Sequence, residues 1–168
     1  MLQVLFVCTA NLCRSPMADS VFRKRIDQAG LQNRVASASA GTHRYRIGES
    51  PDPRAVAMLR RRGYPVHATH ARQVTHADLL ASDWVLAMDY ENLQALERIC
   101  PKDLRHRLHL LMRFASQPAS LIVPDPYRDT DKAFDQALDL IESACTGLIA
   151  TVQQRLAALE RLGAGSVA

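Results

Sequence analysis

Aromatic residues are scarce in this sequence: one Trp, four Tyr and four Phe among 168 residues. A stacking platform for single-stranded nucleic acid needs more, so no nucleic-acid partner is expected. Long apolar runs are also missing. None reaches the roughly 20 residues of a membrane-spanning helix, and no membrane association is expected. Residues 1–13 are apolar, but no Lys or Arg precedes them, so they lack the basic start of a signal peptide. Cysteine is limited to Cys8, Cys13, Cys100 and Cys145, without a Cys-x2-Cys pair. That argues against a zinc site or a disulfide framework and suits a reducing cytoplasm. His67 and His70 lack a third partner at metal-ligand spacing, so neither a metal nor another cofactor is expected. Repeats and linkers are absent, which leaves one domain.

What is present describes an ordinary soluble globular chain, 48% hydrophobic and 23% charged. Its net charge is +4. The basic residues look scattered, Arg60-Arg61-Arg62 being a dense run, and the charge reads as mild attraction for acidic, phosphorylated partners. Short apolar runs at Leu2–Val7, 35–40, 83–88 and 107–111 read as strands. Helical spacing recurs after residue 15 as far as Gly30, over 54–62, from a Thr75 cap to Ser82, over 91–99 and over 131–162, where Gly147 could bend or split the helix. Alternating strand and helix predict an α/β fold with a parallel sheet.

The chemistry concentrates in Val7-Cys8-Thr9-Ala10-Asn11-Leu12-Cys13-Arg14-Ser15-Pro16. Here a buried strand runs through a tight loop into a helix. Ser15 suits the N-cap and Pro16 the first helical position. First-turn and loop amides can then cradle an oxyanion, and Arg14 adds a fork that grips two phosphate oxygens. Cys8 sits in that positive potential, which favours the thiolate and makes it a nucleophile. A lone Cys-x5-Arg is weak, but Cys-x5-Arg-Ser-Pro between a strand and a helix is specific.

A second constellation lies far along the chain, at Val123-Pro124-Asp125-Pro126-Tyr127. Prolines stiffen the backbone around Asp125. A carboxyl presented rigidly to a cleft and shielded by Tyr127 can hold a proton for a leaving phenolate. Between the two stretches, Tyr45 stands in a loop with Arg44 and Arg46 on either side.

Together these stretches resemble the low-molecular-weight protein tyrosine phosphatases, over residues 2 to about 160. The resemblance implies a four-stranded parallel sheet in the order 2-1-3-4, helices on both faces, a domain at 1–163 and a flexible tail at 164–168. It implies hydrolysis of protein phosphotyrosine through a phosphocysteine, with inorganic phosphate as product. Cys8 would be the nucleophile. Arg14 and the loop from Thr9 through Ala10, Asn11, Leu12, Cys13 and Ser15 would bind phosphate. Asp125 would be general acid and then base, and Leu12, Tyr45 and Tyr127 would shape the mouth for a ring. Cys13 would be a resolving thiol for oxidised Cys8. Partners would be phosphotyrosyl proteins, a bacterial tyrosine kinase among the possibilities. Three positions depart from the family pattern: Ala10 where Gly is usual, Thr69 where a buttressing His is usual, and Arg128 in place of a second aromatic. The rivals are an arsenate reductase or a protein-arginine phosphatase of the same fold, and a phosphotyrosine-binding module without activity. The first would need two further cysteines close together, Leu12 favours a phenyl ring over the second, and intact Cys8, Arg14 and Asp125 argue against the third.

Overall fold

β1 (Leu2–Cys8) is apolar on both faces because it is covered on both. Val4, Phe6 and Cys8 point into one core layer and Leu5 and Val7 into the other, as the two-residue period of a strand requires. The computed structural model describes residues 1–118 and 120–164. The chain runs β1, α1 (Arg14–Gln28), β2 (Val35–Gly41), α2 (Pro53–Arg61), α3 (His76–Ala81), β3 (Trp84–Ala87), α4 (Tyr90–Ile99), β4 (Leu108–Leu110) and α5 (Asp131–Ala164). Short 3-10 turns flank β4 at Lys102–Arg107 and Leu111–Phe114. The sheet is parallel in the order β2-β1-β3-β4, so both it and the α/β class are as the resemblance implied.

The larger core layer lies between the sheet and α1, α2 and α5. The smaller lies under α3 and α4. A parallel sheet aims all its carboxyl ends the same way, which brings the loops after β1, β2 and β3 to one edge. Thr75 and Asp78 form a reciprocal capping box at the start of α3, as the Thr75 cap predicted.

Gly147 does not split α5, which continues through it. It is small for another reason: a Cβ there would stand 1.7 Å from the Phe114 carbonyl oxygen. The helix crosses the Leu111–Phe114 turn at a distance only glycine permits. Ala164 is the last residue of α5, and the rest of the expected tail, 165–168, lies outside the described residues. No helix is long and apolar enough to cross a membrane among the described residues.

Candidate active site

Cys8 ends β1 and Arg14 begins α1, so five residues must fold back over the strand's carboxyl end. Asn11 makes that turn with a left-handed backbone, φ 58°, which Asn tolerates better than most side chains. Asn11 is the only non-glycine residue with positive φ among the described residues, so Ala10 carries no such strain. Gly41, at the end of β2, lets that strand press against the loop. A Cβ there would lie 2.9 Å from the Thr9 carbonyl oxygen and 3.0 Å from the Asn11 nitrogen.

The Asn11 side chain braces this turn from within. Its Nδ2 donates to Ser15 Oγ at 3.0 Å and to Ser39 Oγ at 2.9 Å. Its Oδ1 accepts from the Arg72 backbone N–H at 3.1 Å. The brace therefore contains no histidine, and Thr69 in the usual His position leaves it intact. Carbonyls of Cys8, Thr9 and Leu12 accept backbone bonds from Thr42, His43 and Asp52. The amides of Thr9 to Ser15 donate to no protein acceptor among the described residues. Their donor capacity is left for a ligand, as an anion cradle requires.

Ser15 is not the N-cap. α1 begins one residue earlier, at Arg14, preceded by Cys13 with no side-chain cap. The Ser15 hydroxyl is engaged elsewhere: Oγ lies 3.0 Å from Cys8 Sγ and donates to the Ala40 carbonyl at 3.1 Å. Pro16 still falls within the first turn, where its missing N–H costs nothing.

Arg14 is only 1% exposed, and both its terminal nitrogens are committed. Nη1 donates to Asp89 Oδ2 at 2.5 Å and to the Val123 carbonyl at 3.0 Å. Nη2 donates to Asp125 Oδ2 at 3.0 Å and to Thr9 Oγ1 at 3.2 Å. Burial works against the charge, but the Cys8 sulfur, Asp125 and Asp89 outweigh it and keep the guanidinium ionised. Asp89 is anchored twice, because it also caps α4 by accepting from the Asn92 N–H at 2.7 Å. In the orientation that satisfies both its ends, the Asn92 amide donates to Asp89 and accepts from Thr9 Oγ1 at 3.1 Å.

Cys8, Leu12, Cys13, Arg14, Asp125, Tyr45 and Tyr127 line one cleft, along with Thr9, Ala10 and Arg46. Asn11 and Ser15, 3% and 0% exposed, lie behind the loop and support it. Cys13 is buried; burial, then the charges of Asp52 and Cys8, push its thiol well above the ordinary range. Asp125 Oδ1 accepts from the Tyr127 N–H at 3.2 Å. Tyr127 is gripped from outside its own loop. Arg46 donates to its hydroxyl at 2.9 Å, Arg54 donates to its carbonyl at 2.9 Å, and each guanidinium lies within 6 Å of its ring centroid. Arg54 is oriented in turn by Asp52, the N-cap of α2. Burial opposes an ionised Asp52, yet the side chain and backbone N–H of Arg54 together hold its carboxyl below the usual range.

Sequence reading passed over Asp89, Asn92, Arg46 and Arg54. Asp89 and Asn92 follow β3, which neighbours β1, so the parallel topology was a usable signal for them. Arg46 and Arg54 act across more than 70 residues of chain, and no local pattern marks them. Among the described residues, no three His, Cys, Asp or Glu side chains gather as a metal site.

Comparison with known proteins places the chain in a family. The profile of the family described as "Low molecular weight phosphotyrosine protein phosphatase" matches residues 3–158. A low molecular weight protein-tyrosine-phosphatase of Streptomyces coelicolor is 41% identical over 92% of this chain and 95% of its own. The crystal structure of a protein tyrosine phosphatase from Entamoeba histolytica superimposes with a TM-score of 0.89 at 33% identity, covering 92% of this chain and 98% of that one. A low molecular weight phosphotyrosine phosphatase from Vibrio cholerae gives 0.87 at 37% identity, covering 92% and 99%.

Proposed function

The chain belongs to the low molecular weight phosphotyrosine protein phosphatase family, and from that footing we propose that it hydrolyses protein phosphotyrosine by way of a phosphocysteine on Cys8. The observation that carries the reading is that Cys8, Arg14 and Asp125 meet in one cleft, above a loop whose amides are free to bind oxyanions.

In the first step the Cys8 thiolate attacks phosphorus and the bond to the phenolic oxygen breaks. Arg14 and the loop amides hold the equatorial oxygens, over which transition-state charge is spread. Asp125 gives its proton to the departing oxygen. In the second step ionised Asp125 takes a proton from water, which attacks phosphorus; the P–S bond breaks and inorganic phosphate leaves. The Ser15 hydroxyl has one proton and two acceptors, the Ala40 carbonyl and the Cys8 sulfur. Turned to sulfur, it stabilises the thiolate both as nucleophile and as leaving group.

Leu12, Tyr45 and Tyr127 suit a phenyl ring between apolar walls. Substrates are phosphoproteins, and a tyrosine kinase carrying its own phosphotyrosine fits the chemistry as one of them. The cytoplasm is the proposed compartment, because the nucleophile works only as a reduced thiol. Cys13 is assigned as the resolving thiol: a peroxide oxidises Cys8 to a sulfenic acid, which condenses with the Cys13 thiol to a disulfide and water. The arsenate-reductase reading has no support from the remaining cysteines, since Cys100 and Cys145 lie in core layers on opposite faces of the sheet.

The test compares phosphotyrosine peptide, phosphoarginine and arsenate on the purified protein. Phosphotyrosine should be turned over fastest, with vanadate competing, and Cys8→Ser should abolish turnover. Residual turnover by the Cys8→Ser protein would remove the mechanism, and faster release from phosphoarginine would reassign the substrate.

A further inference from the structure

The chain's positive charge is not distributed as the sequence suggested. The Arg60–Arg62 run is largely neutralised within the fold: Arg61 pairs with Asp135, and Arg62 reaches Asp135, Asp139 and Glu142 on α5. Residues 98–113 behave differently. They hold Arg98, Lys102, Arg105, Arg107 and Arg113 against one acid, Asp103, a surplus equal to the whole chain's net charge of +4. The other 152 residues therefore sum to zero.

None of the five has a carboxylate in ion-pair range among the described residues. Arg98 donates to the Gln94 side chain, Arg105 to the Glu97 carbonyl, Arg107 to the carbonyls of Leu80 and Ser82, and Arg113 meets His109. These bonds orient the guanidinium groups without cancelling their charge. The segment runs along one edge of the sheet: it leaves the end of α4, passes through the 3-10 turn and follows β4, the outer strand, which pairs with β3. Because β4 is parallel to the others, the turn before it stands at the amino ends of the strands, away from the cleft. Exposed Ile99 and Leu80 lie beside the charges, 49% and 54% accessible.

At the cleft, Arg46 is paired with Glu49 and Arg54 with Asp52. We propose that the basic β4 edge is a docking surface for an acidic polypeptide segment of the phosphoprotein substrate; the assignment to substrate rests on the phosphatase reading above. Unmatched charge attracts an acidic chain and raises its encounter rate. Ile99 and Leu80 add apolar contacts that a polypeptide can match and a nucleic-acid backbone cannot. The segment has no Trp, Tyr or Phe to stack on bases or to anchor in a lipid interface.

The test has two arms. In the first, a fluorescent Asp/Glu-rich peptide without phosphate is titrated by anisotropy into protein saturated with vanadate. Binding should weaken about tenfold or more in Arg98→Glu/Lys102→Glu/Arg105→Glu and should fall with added salt. The milder Arg98→Gln/Lys102→Gln/Arg105→Gln should show a smaller loss in the same direction. In the second arm, kcat/KM is compared for a phosphotyrosine peptide with and without an acidic extension, and for a small aryl phosphate. The extension should raise kcat/KM in the wild type and not in the triple variant, while aryl phosphate turnover is equal in both. Unchanged peptide binding in the variants overturns the proposal. So does duplex DNA or an anionic vesicle that binds the same face more tightly than the peptide. If the wild type fails on every phosphate ester while the peptide still binds, the phosphatase reading fails and the surface stands without its substrate assignment.

Discussion

The loop at residues 8–15 and the loop at residues 123–129 meet at the same cleft but are held in different ways. In the first, Asn11, Arg14 and Ser15 are 0–3% exposed. Its brace comes from its own residues, from Ser39 and from the Arg72 backbone. In the second, the Asp125 side chain is 45% exposed, and the hold comes from Arg14, Arg46 and Arg54, all belonging to distant elements. The difference fits the chemistry each would serve in the proposed mechanism. Attack at phosphorus needs donors fixed where charge develops, so rigidity is concentrated there. Delivering a proton to a leaving group needs access to a bulky ring, so the second loop stays at the surface.

Breaking the first loop should cost most. Arg14→Lys keeps the charge but loses the fork that spans Asp89, Val123, Thr9 and Asp125; kcat should fall about 10³-fold. A loss under tenfold would mean that point charge, not geometry, does the work. Asp125→Ala comes next, with a loss of about 10²- to 10³-fold that deepens as the leaving group becomes poorer. An equal loss for good and poor leaving groups would remove its acid role. Asn11→Ala should lower unfolding free energy by about 3 kcal/mol, from the left-handed backbone and the lost brace together, as a denaturant titration would read. The smallest change sharpens the contrast: Arg46→Ala should raise KM a few-fold with an unaltered unfolding midpoint. Should it destabilise the protein as much as Asn11→Ala does, the two loops are held alike and the comparison fails.

The features legible in the sequence are those whose cause is local or periodic. β1 and β3 read as strands because both faces are buried. The Cys8–Arg14 loop read as an anion cradle because strand, turn and helix start are contiguous. Asp125 was legible through its flanking prolines. Asp89 was passed over, because its partner is 75 residues away in sequence. The reason for Gly147 was not legible, because the Phe114 backbone that needs its small size comes from another element. Ser15 was misassigned as a cap because local propensity lost to tertiary demand from the Cys8 sulfur and the Ala40 carbonyl. The Arg60–Arg62 run drew attention by density, yet α5 neutralises most of it, while the sparser basic residues of 98–113 keep their charge.

Arg14 divides its nitrogens between two carboxylates of unequal tenure. Asp89 is mostly buried and also caps a helix, whereas Asp125 is half exposed. An anion entering the loop therefore contends with Asp125 alone, and its binding is an exchange of counterions rather than the neutralisation of a bare charge. The exchange acts as a filter. Chloride offers one charge and no fixed geometry; a tetrahedral oxyanion offers several oxygens to the fork and the amides at once. Inhibition by chloride and by phosphate, measured at matched ionic strength, reads out that selectivity directly, with phosphate expected to be far the stronger.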